Sequence, residues 1–287
     1  MKNYVIITPA RDEAKYISET LESVVNQTIK PSEWIIVDDG SSDNTAEIVE
    51  KFAAENSWIK LIKRGDRGLR SAGTGVMEAF YEGYNNIEIS TWNFIVKLDG
   101  DVGFSSDYFE KCMGEFQKNH KLGIGGGLIH NKVNDSYVIE DAPLFHVRGA
   151  TKIYKKECWE EIGGLVRTPG WDTLDEVKAN MLGWETKTFK DLPIMHYRYT
   201  GHAYGVWADS VKNGMGSYIL GYHPLFILAR SLKAAGTKPY LKKSAGLMWG
   251  FILGYIKGIK KVDDKALIRY TRQQQIKKLL LQKSIWN

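Results

Sequence analysis

Trp34-Ile35-Ile36-Val37-Asp38-Asp39-Gly40-Ser41-Ser42-Asp43 decides the fold. An apolar, β-rich run passes directly into an acidic turn that carries one glycine. A strand with no polar face is covered on both sides, which is the habit of parallel sheets. The same alternation extends outward in both directions. Tyr4-Val5-Ile6-Ile7 forms a short apolar run before Pro9, and Ile17, Leu21, Val24 and Val25 follow at helical spacing. Asp43 or Asn44 can cap the next helix, and Asn44 stands at capping-box distance from Glu47. Residues 59–62 read as a third strand, about 75–84 as a helix, and Phe94-Ile95-Val96-Lys97-Leu98 as a fourth strand. The pattern predicts an α/β protein with a mostly parallel sheet and helices on both faces. Ligands of such sheets gather at the carboxyl ends of the strands.

Beyond residue 120 the pattern loosens. Residues 123–129 read as a strand with close backbone contacts, 150–154 as another, and 173–182 as a helix ended by Gly183. The chain has 287 residues, enough for one large domain or a domain with an extension. We expect a domain over 1–215, with a nucleotide-binding half to about 101 and an acceptor half over 102–215. A helical, basic extension is expected over 216–287. Two cysteines, Cys112 and Cys158, supply neither a disulfide framework nor a four-ligand zinc site. The first apolar run meets Arg11, Asp12 and Glu13 at once and does not read as a secretory signal. A cytoplasmic place is the expectation.

Charge is unevenly placed. Residues 233–287 hold 13 Lys or Arg against 2 acids, a local +11 within a chain of net +5, so the rest carries −6. This tail contains Leu247, Met248, Trp249, Phe251, Ile252, Leu253, Tyr255 and Ile256 between flanking lysines. The run is too short to span a bilayer and too apolar for a nucleic-acid arm. Two readings stand. The tail lies on an anionic membrane surface, at the inner face of the cell membrane, or it is a buried helix packed on the body. Nucleic acid is not an expected partner.

Acidic groups occupy two strand ends. Asp99 and Asp101 bracket Gly100 and can offer two oxygens to one hard cation, Mg²⁺ or Mn²⁺. Asp38 and Asp39 can accept hydrogen bonds from a base or a ribose. Neither a Gly-x-Gly-x-x-Gly turn nor a Gly-x-x-x-x-Gly-Lys-Ser/Thr loop is present, which disfavours a dinucleotide dehydrogenase and a P-loop ATPase. His196 follows an apolar run, and its imidazole could complete a metal site or simply be a bonded core residue. Arg198 could pair with a phosphate. Arg148 could hold acceptor or diphosphate, or pair with an acid.

Three ordered segments, Val5 through Glu13, Ile35 through Asp43 and Lys97 through Asp101, resemble the inverting family 2 glycosyltransferases of GT-A fold. The likeness continues through Arg67-Gly68, Gly163-Gly164 and Trp171-Asp172, and fades after about residue 200. It implies a GT-A-type twisted sheet and transfer of a sugar from a nucleotide-sugar donor to a glycan or lipid-linked acceptor hydroxyl by single displacement. It assigns donor binding to Pro9, Arg11, Glu13, Asp38, Asp39, Arg67, Asp99 and Gly100. Asp99 and Asp101 become the metal-binding Asp-x-Asp, with His196 beside them. Asp172 takes the place of the general base, with Asp175 second. Trp171 stands where the family usually has Glu, beside the acceptor, together with Arg148 and Arg198. Trp171, Tyr197, Tyr199, Tyr204, Trp207, Tyr218 and Tyr222 are candidates for a sugar platform.

A sugar nucleotidyltransferase would need a glycine- and basic-rich loop after the first strand, which is absent. A carbohydrate-binding scaffold on a decayed transferase fold is the reading from another class. A membrane-embedded processive synthase is disfavoured because the chain lacks spanning segments and a Gln-x-x-Arg-Trp motif.

Overall fold

A computed structural model describes residues 3–65, 74–133, 136–140, 142–166, 170–198, 205–236 and 240–286. The chain divides into two compact units, residues 1–198 and 199–287. The expected boundary at 215 falls inside one continuous helix, Gly205–Ile219, and the division comes instead just after the last strand.

In the first unit, strand β1 (Tyr4–Ala10), helix α1 (Ile17–Val25), strand β2 (Glu33–Asp38), helix α2 (Thr45–Glu55), strand β3 (Ile59–Lys63), helix α3 (Thr74–Asn85) and strand β4 (Phe94–Leu98) follow in turn. β1 pairs in parallel with β2 and β4, and β2 with β3. Short β5 (Val102–Gly103), α4 (Tyr108–Lys118), β6 (Leu122–Val133), β7 (Ser136–Ile139), β8 (Thr151–Lys155), α5 (Lys156–Ile162), α6 (Trp171–Met181) and β9 (Glu185–His196) complete it. The sheet runs β3-β2-β1-β4-β8-β6-β9-β5, with β7 on β6. The parallel half is the expected one, and β8 joins it antiparallel to β4.

Strand periodicity sorts the core into two layers. Tyr4, Ile6, Trp34, Ile36, Phe94 and Val96 pack with residues of α1, α2 and α4 on one face. Val5, Ile7 and Ile95 pack with residues of α3 and α5 on the other. The close contacts expected around Gly123–Ile129 are real. A Cβ on Gly126 would stand 2.5 Å from the carbonyl oxygen of Thr151, a separation no side chain tolerates. Both cysteines are buried and free.

The expected capping box does not form. Asn44 occupies the N-cap of α2 but makes no side-chain cap bond. Asp43 does that work: its carboxylate accepts from the backbone N–H of Thr45 at 3.0 Å and of Ala14 at 3.0 Å. Asp43 caps the helix and ties the β1–α1 and β2–α2 connections together, which Asn44 does not.

The second unit is helical: α7 (Gly205–Ile219), α8 (Pro224–Ala235), α9 (Lys242–Ile256) and α10 (Lys265–Leu279). α9 packs on α7 and α8. Asp264 caps α10 by accepting from Leu267 N–H at 2.8 Å. Among the described residues no helix is long and apolar enough to cross a membrane.

Candidate active site

The loops after β1 and β2 are stitched side to side. Asp12 takes a left-handed φ of 53°. Its carboxylate accepts from Ser42 N–H at 2.8 Å, and its own N–H donates to Ser41 Oγ at 2.9 Å. Glu13 N–H donates to Thr45 Oγ1 at 2.8 Å. Asp38 turns into its own loop, accepting from Ser41 N–H at 3.1 Å and from the Ser41 hydroxyl. Asp39 pairs with Arg64 at 2.9 Å, while its carbonyl accepts from Arg11 at 3.1 Å. Pro9 lies in β1 two residues before Arg11. Gly100 sits over Glu13, whose Cγ a Cβ there would meet at 3.4 Å. Arg67 lies outside the described residues.

Asp99, Asp101 and His196 each present a ligand atom within 4.8 Å of the others. Topology explains the convergence. Val102 is paired with His196 across β5 and β9, and Asn131 with His196 across β6 and β9. The strand that begins after Asp101 therefore delivers the histidine to the end of the parallel half. His196 Nε2 lies 3.3 Å from Asp101 Oδ1, and Nδ1 lies 3.0 Å from Asn131 Oδ1. Burial lowers the imidazole pKa. The hydrogen bond and charge of Asp101, with Asp99 and Glu140, outweigh it and hold the ring above its ordinary value. Two carboxylates and one imidazole on a side-chain amide suit a hard or borderline divalent cation.

Arg198 joins this cluster to the first loop. Its guanidinium bonds the Glu13 carboxylate, donates to Asp12 O at 3.1 Å and lies 3.8 Å from Asp101 Oδ2. Arg148 pairs with Glu140 at 2.7 Å and reaches His146 Nε2 at 3.2 Å. It thus has an acid partner, one of the two roles the sequence left open.

The Gly163-Gly164 turn, at φ 74° and 73°, precedes α6, which starts after Gly170 at φ 84°. The helix opens two residues earlier than periodicity predicts, so Asp172 sits in its first turn, where the helix dipole favours a carboxylate. Asp172 is half-buried. Burial pushes its pKa up, but His146, Lys152, Arg148 and Lys97 around it prevail and hold it below the usual value. Asp175 differs. Its side chain is wholly enclosed, 2.9 Å from Lys152 Nζ and hydrogen-bonded by Tyr154 Oη. Burial first, and the charge of Glu176, raise its pKa to about 6 against the pull of Lys152. One lysine faces two buried acids, since Lys152 is also 2.8 Å from Glu176.

Several contributors escaped the sequence reading. Lys97 Nζ bonds Asp99 and donates to Gly149 O at 2.6 Å. Lys152 donates to the backbone carbonyl of Asp172. Glu176 accepts from Val147 N–H at 2.6 Å and lies 2.7 Å from His146 Nδ1. A lysine within an apolar strand signals a buried acid partner, and Lys97 and Lys152 both carried that signal. Two of the aromatics expected in a sugar platform are packing residues. Tyr218, on α7, and Tyr222, just beyond it, are buried in the helical unit, against Phe251 and Phe226 respectively. Tyr197 stacks on Tyr16 with centroids 6.0 Å apart. Tyr199, Tyr204 and the Trp171 side chain lie outside the described residues.

A mixed sheet whose parallel half ends its fourth strand in an Asp-x-Asp, with an acidic helix start beyond a Gly-Gly turn, has the architecture of the GT-A glycosyltransferases. Residues 5–168 match the family described as Glycosyl transferase family 2. The chain belongs to that family. It is 32% identical over 117 residues to a chondroitin synthase of Pasteurella multocida, covering 41% of this chain and 11% of that protein. It is 32% identical over 294 residues to a poly-beta-1,6-N-acetyl-D-glucosamine synthase of Staphylococcus epidermidis, covering 91% of this chain and 66% of the relative. The chain thus spans a small part of the first relative and about two thirds of the second. The mannosyltransferase PcManGT from Pyrobaculum calidifontis, solved with GDP-Man and Mn²⁺, superposes with a TM-score of 0.56 at 16% identity, over 98% of this chain and 88% of that one. At that identity the likeness is one of fold.

Proposed function

We propose that this chain is an inverting, metal-dependent glycosyltransferase that moves a sugar from a nucleoside diphosphate donor to a hydroxyl of a glycan or lipid-linked acceptor in polysaccharide synthesis. One observation carries the reading. Lys97, which bonds Asp99 of the convergent Asp99, Asp101 and His196, is the cross-strand partner of Lys152, which donates to the backbone carbonyl of Asp172. One cross-strand lysine pair therefore ties the cation-ligating group to the start of the helix that carries the proposed base.

In this reading Pro9, Arg11, Glu13, Asp38, Asp39, Arg67 and Gly100 hold the donor nucleotide. Asp99, Asp101 and His196 would hold a divalent ion, whose positive charge would stabilise the departing diphosphate. Arg198, already beside Asp101, adds a second cation there. Asp172 takes the proton from the acceptor hydroxyl as that oxygen attacks the anomeric carbon. Like any carboxylate of ordinary or lower pKa, it is ionised at neutral pH. Asp175, enclosed by Lys152 and Tyr154, orients the helix rather than the acceptor. Trp171 and Arg148 flank the acceptor. A place at an anionic membrane surface belongs to the same reading, since lipid-linked acceptors reside there.

The test is a panel of nucleotide sugars with Mn²⁺, followed by NMR of the product. Release of nucleoside diphosphate with the anomeric configuration opposite to the donor is expected. Retained configuration, or formation of pyrophosphate, would contradict the proposal.

A further inference from the structure

The apolar run of the basic tail has two sides with different duties. The inner side of α9 is committed to α7. A Cβ on Gly250 would come within 2.0 Å of Val211 O, and one on Gly254 within 2.2 Å of the Tyr218 ring. Leu247 and Phe251 are buried on the same side. The outer side carries Trp249, Ile252 and Ile256, spaced at i, i+3 and i+7. The adjoining helix α8 repeats the spacing with Leu225, Leu228 and Leu232, while Phe226, Ile227 and Ser231 face inward. These six outer side chains are 41–68% exposed. Scattered exposed leucines are ordinary, but two neighbouring helices each showing an apolar stripe are not.

We infer that the outer stripes of α8 and α9 dock into the interface of an anionic lipid bilayer. The inference rests on the membrane part of the reading above, and not on the transfer chemistry. Charge chooses the occupant. Lys242 and Lys243 open α9, and Lys257, Lys260 and Lys261 follow it. Residues 233–262 contain no acid. A second copy would bring the same positive rim against this one, whereas anionic headgroups complement it. Along α10, Lys265, Arg269, Arg272 and Lys277 add further positive charge to this unit. An amphipathic face beside lysines lies in the interface plane and needs no spanning length.

The experiment is flotation of the full chain with vesicles of phosphatidylcholine, or of equal parts phosphatidylcholine and phosphatidylglycerol. Binding to the anionic vesicles and little to the neutral ones is expected. Leu225→Ser/Leu228→Ser/Leu232→Ser and Ile252→Ser/Ile256→Ser should each lower anionic binding at least about tenfold with unchanged Tm. Lys242→Gln/Lys243→Gln/Lys257→Gln/Lys260→Gln should lower it by a similar or larger factor. Equal binding to both vesicles, no binding, or serine variants that float like the parent would overturn the inference. So would a dimer in solution that the serine substitutions convert to monomer, since the face then belongs to a second copy. Diphosphate release is measured without vesicles in parallel. Vesicle binding without transfer defeats the proposed chemistry alone, and transfer without vesicle binding defeats the docking face alone.

Discussion

Lys97 and Lys152 face each other across β4 and β8, and their amines serve two different acidic groups. Lys97 bonds Asp99 at the strand end. Lys152 bonds Asp175, Glu176 and the backbone of Asp172 at the start of α6. Like charges opposite one another on a sheet repel; here each is neutralised by its own acids. One cross-strand pair thereby fixes the spacing between the Asp-x-Asp segment and the proposed base.

Removing Lys152 leaves two enclosed carboxylates against no amine. Lys152→Met is expected to cost about 3–5 kcal/mol in urea unfolding. Lys152→Met/Asp175→Asn/Glu176→Gln should recover part of that loss, since no buried charge is then stranded. A single variant as stable as the parent would mean that the cluster is not what holds α6.

Asp172 and Asp175 of α6 have opposite pH signatures. Asp175 titrates at about 6 when folded, above its ordinary 3.8. The stability it contributes is complete below the lower value and is lost as pH rises through the higher. Asp172 is depressed, so its contribution is present above the ordinary carboxylate value and is lost as pH falls through the folded one. Between about pH 4 and 7 the parent should lose roughly 1–3 kcal/mol relative to Asp175→Asn. Urea midpoints across that range measure it, and parallel curves for the two proteins would refute the assignment.

Asn131 orients His196 through a 3.0 Å hydrogen bond. Supporting groups of this kind tune metal affinity by about 10- to 100-fold. Asn131→Leu should weaken Mn²⁺ binding by that factor in calorimetry, with nucleotide binding in the absence of metal unchanged. Unaltered Mn²⁺ affinity would remove His196 from the ligand set.

What the chain betrayed and what it concealed have physical causes. The parallel half was legible because Tyr4-Val5-Ile6-Ile7 and Trp34-Ile35-Ile36-Val37 are apolar on both faces, and only a covered strand looks like that. Asp99 and Asp101 were legible because one glycine separates them at a strand end. Asp43 was half legible as a cap. Its second bond, to Ala14, joins residues 29 apart in sequence, and no local pattern encodes it. The roles of Lys97 and Lys152 depended on a register between β4 and β8, which no spacing announces. The helical unit was read as apolar and basic. Which side of α9 faces inward depended on α7, whose approach Gly250 permits.

The central claim is that a cation cluster and Asp172 serve one transfer. The most direct measurement compares the parent with Asp172→Asn under saturating donor and Mn²⁺, recording donor affinity and turnover separately. The account predicts unchanged donor affinity and a loss in kcat of about 10²- to 10⁴-fold. Turnover within a few-fold of the parent, with the fold intact, would contradict it.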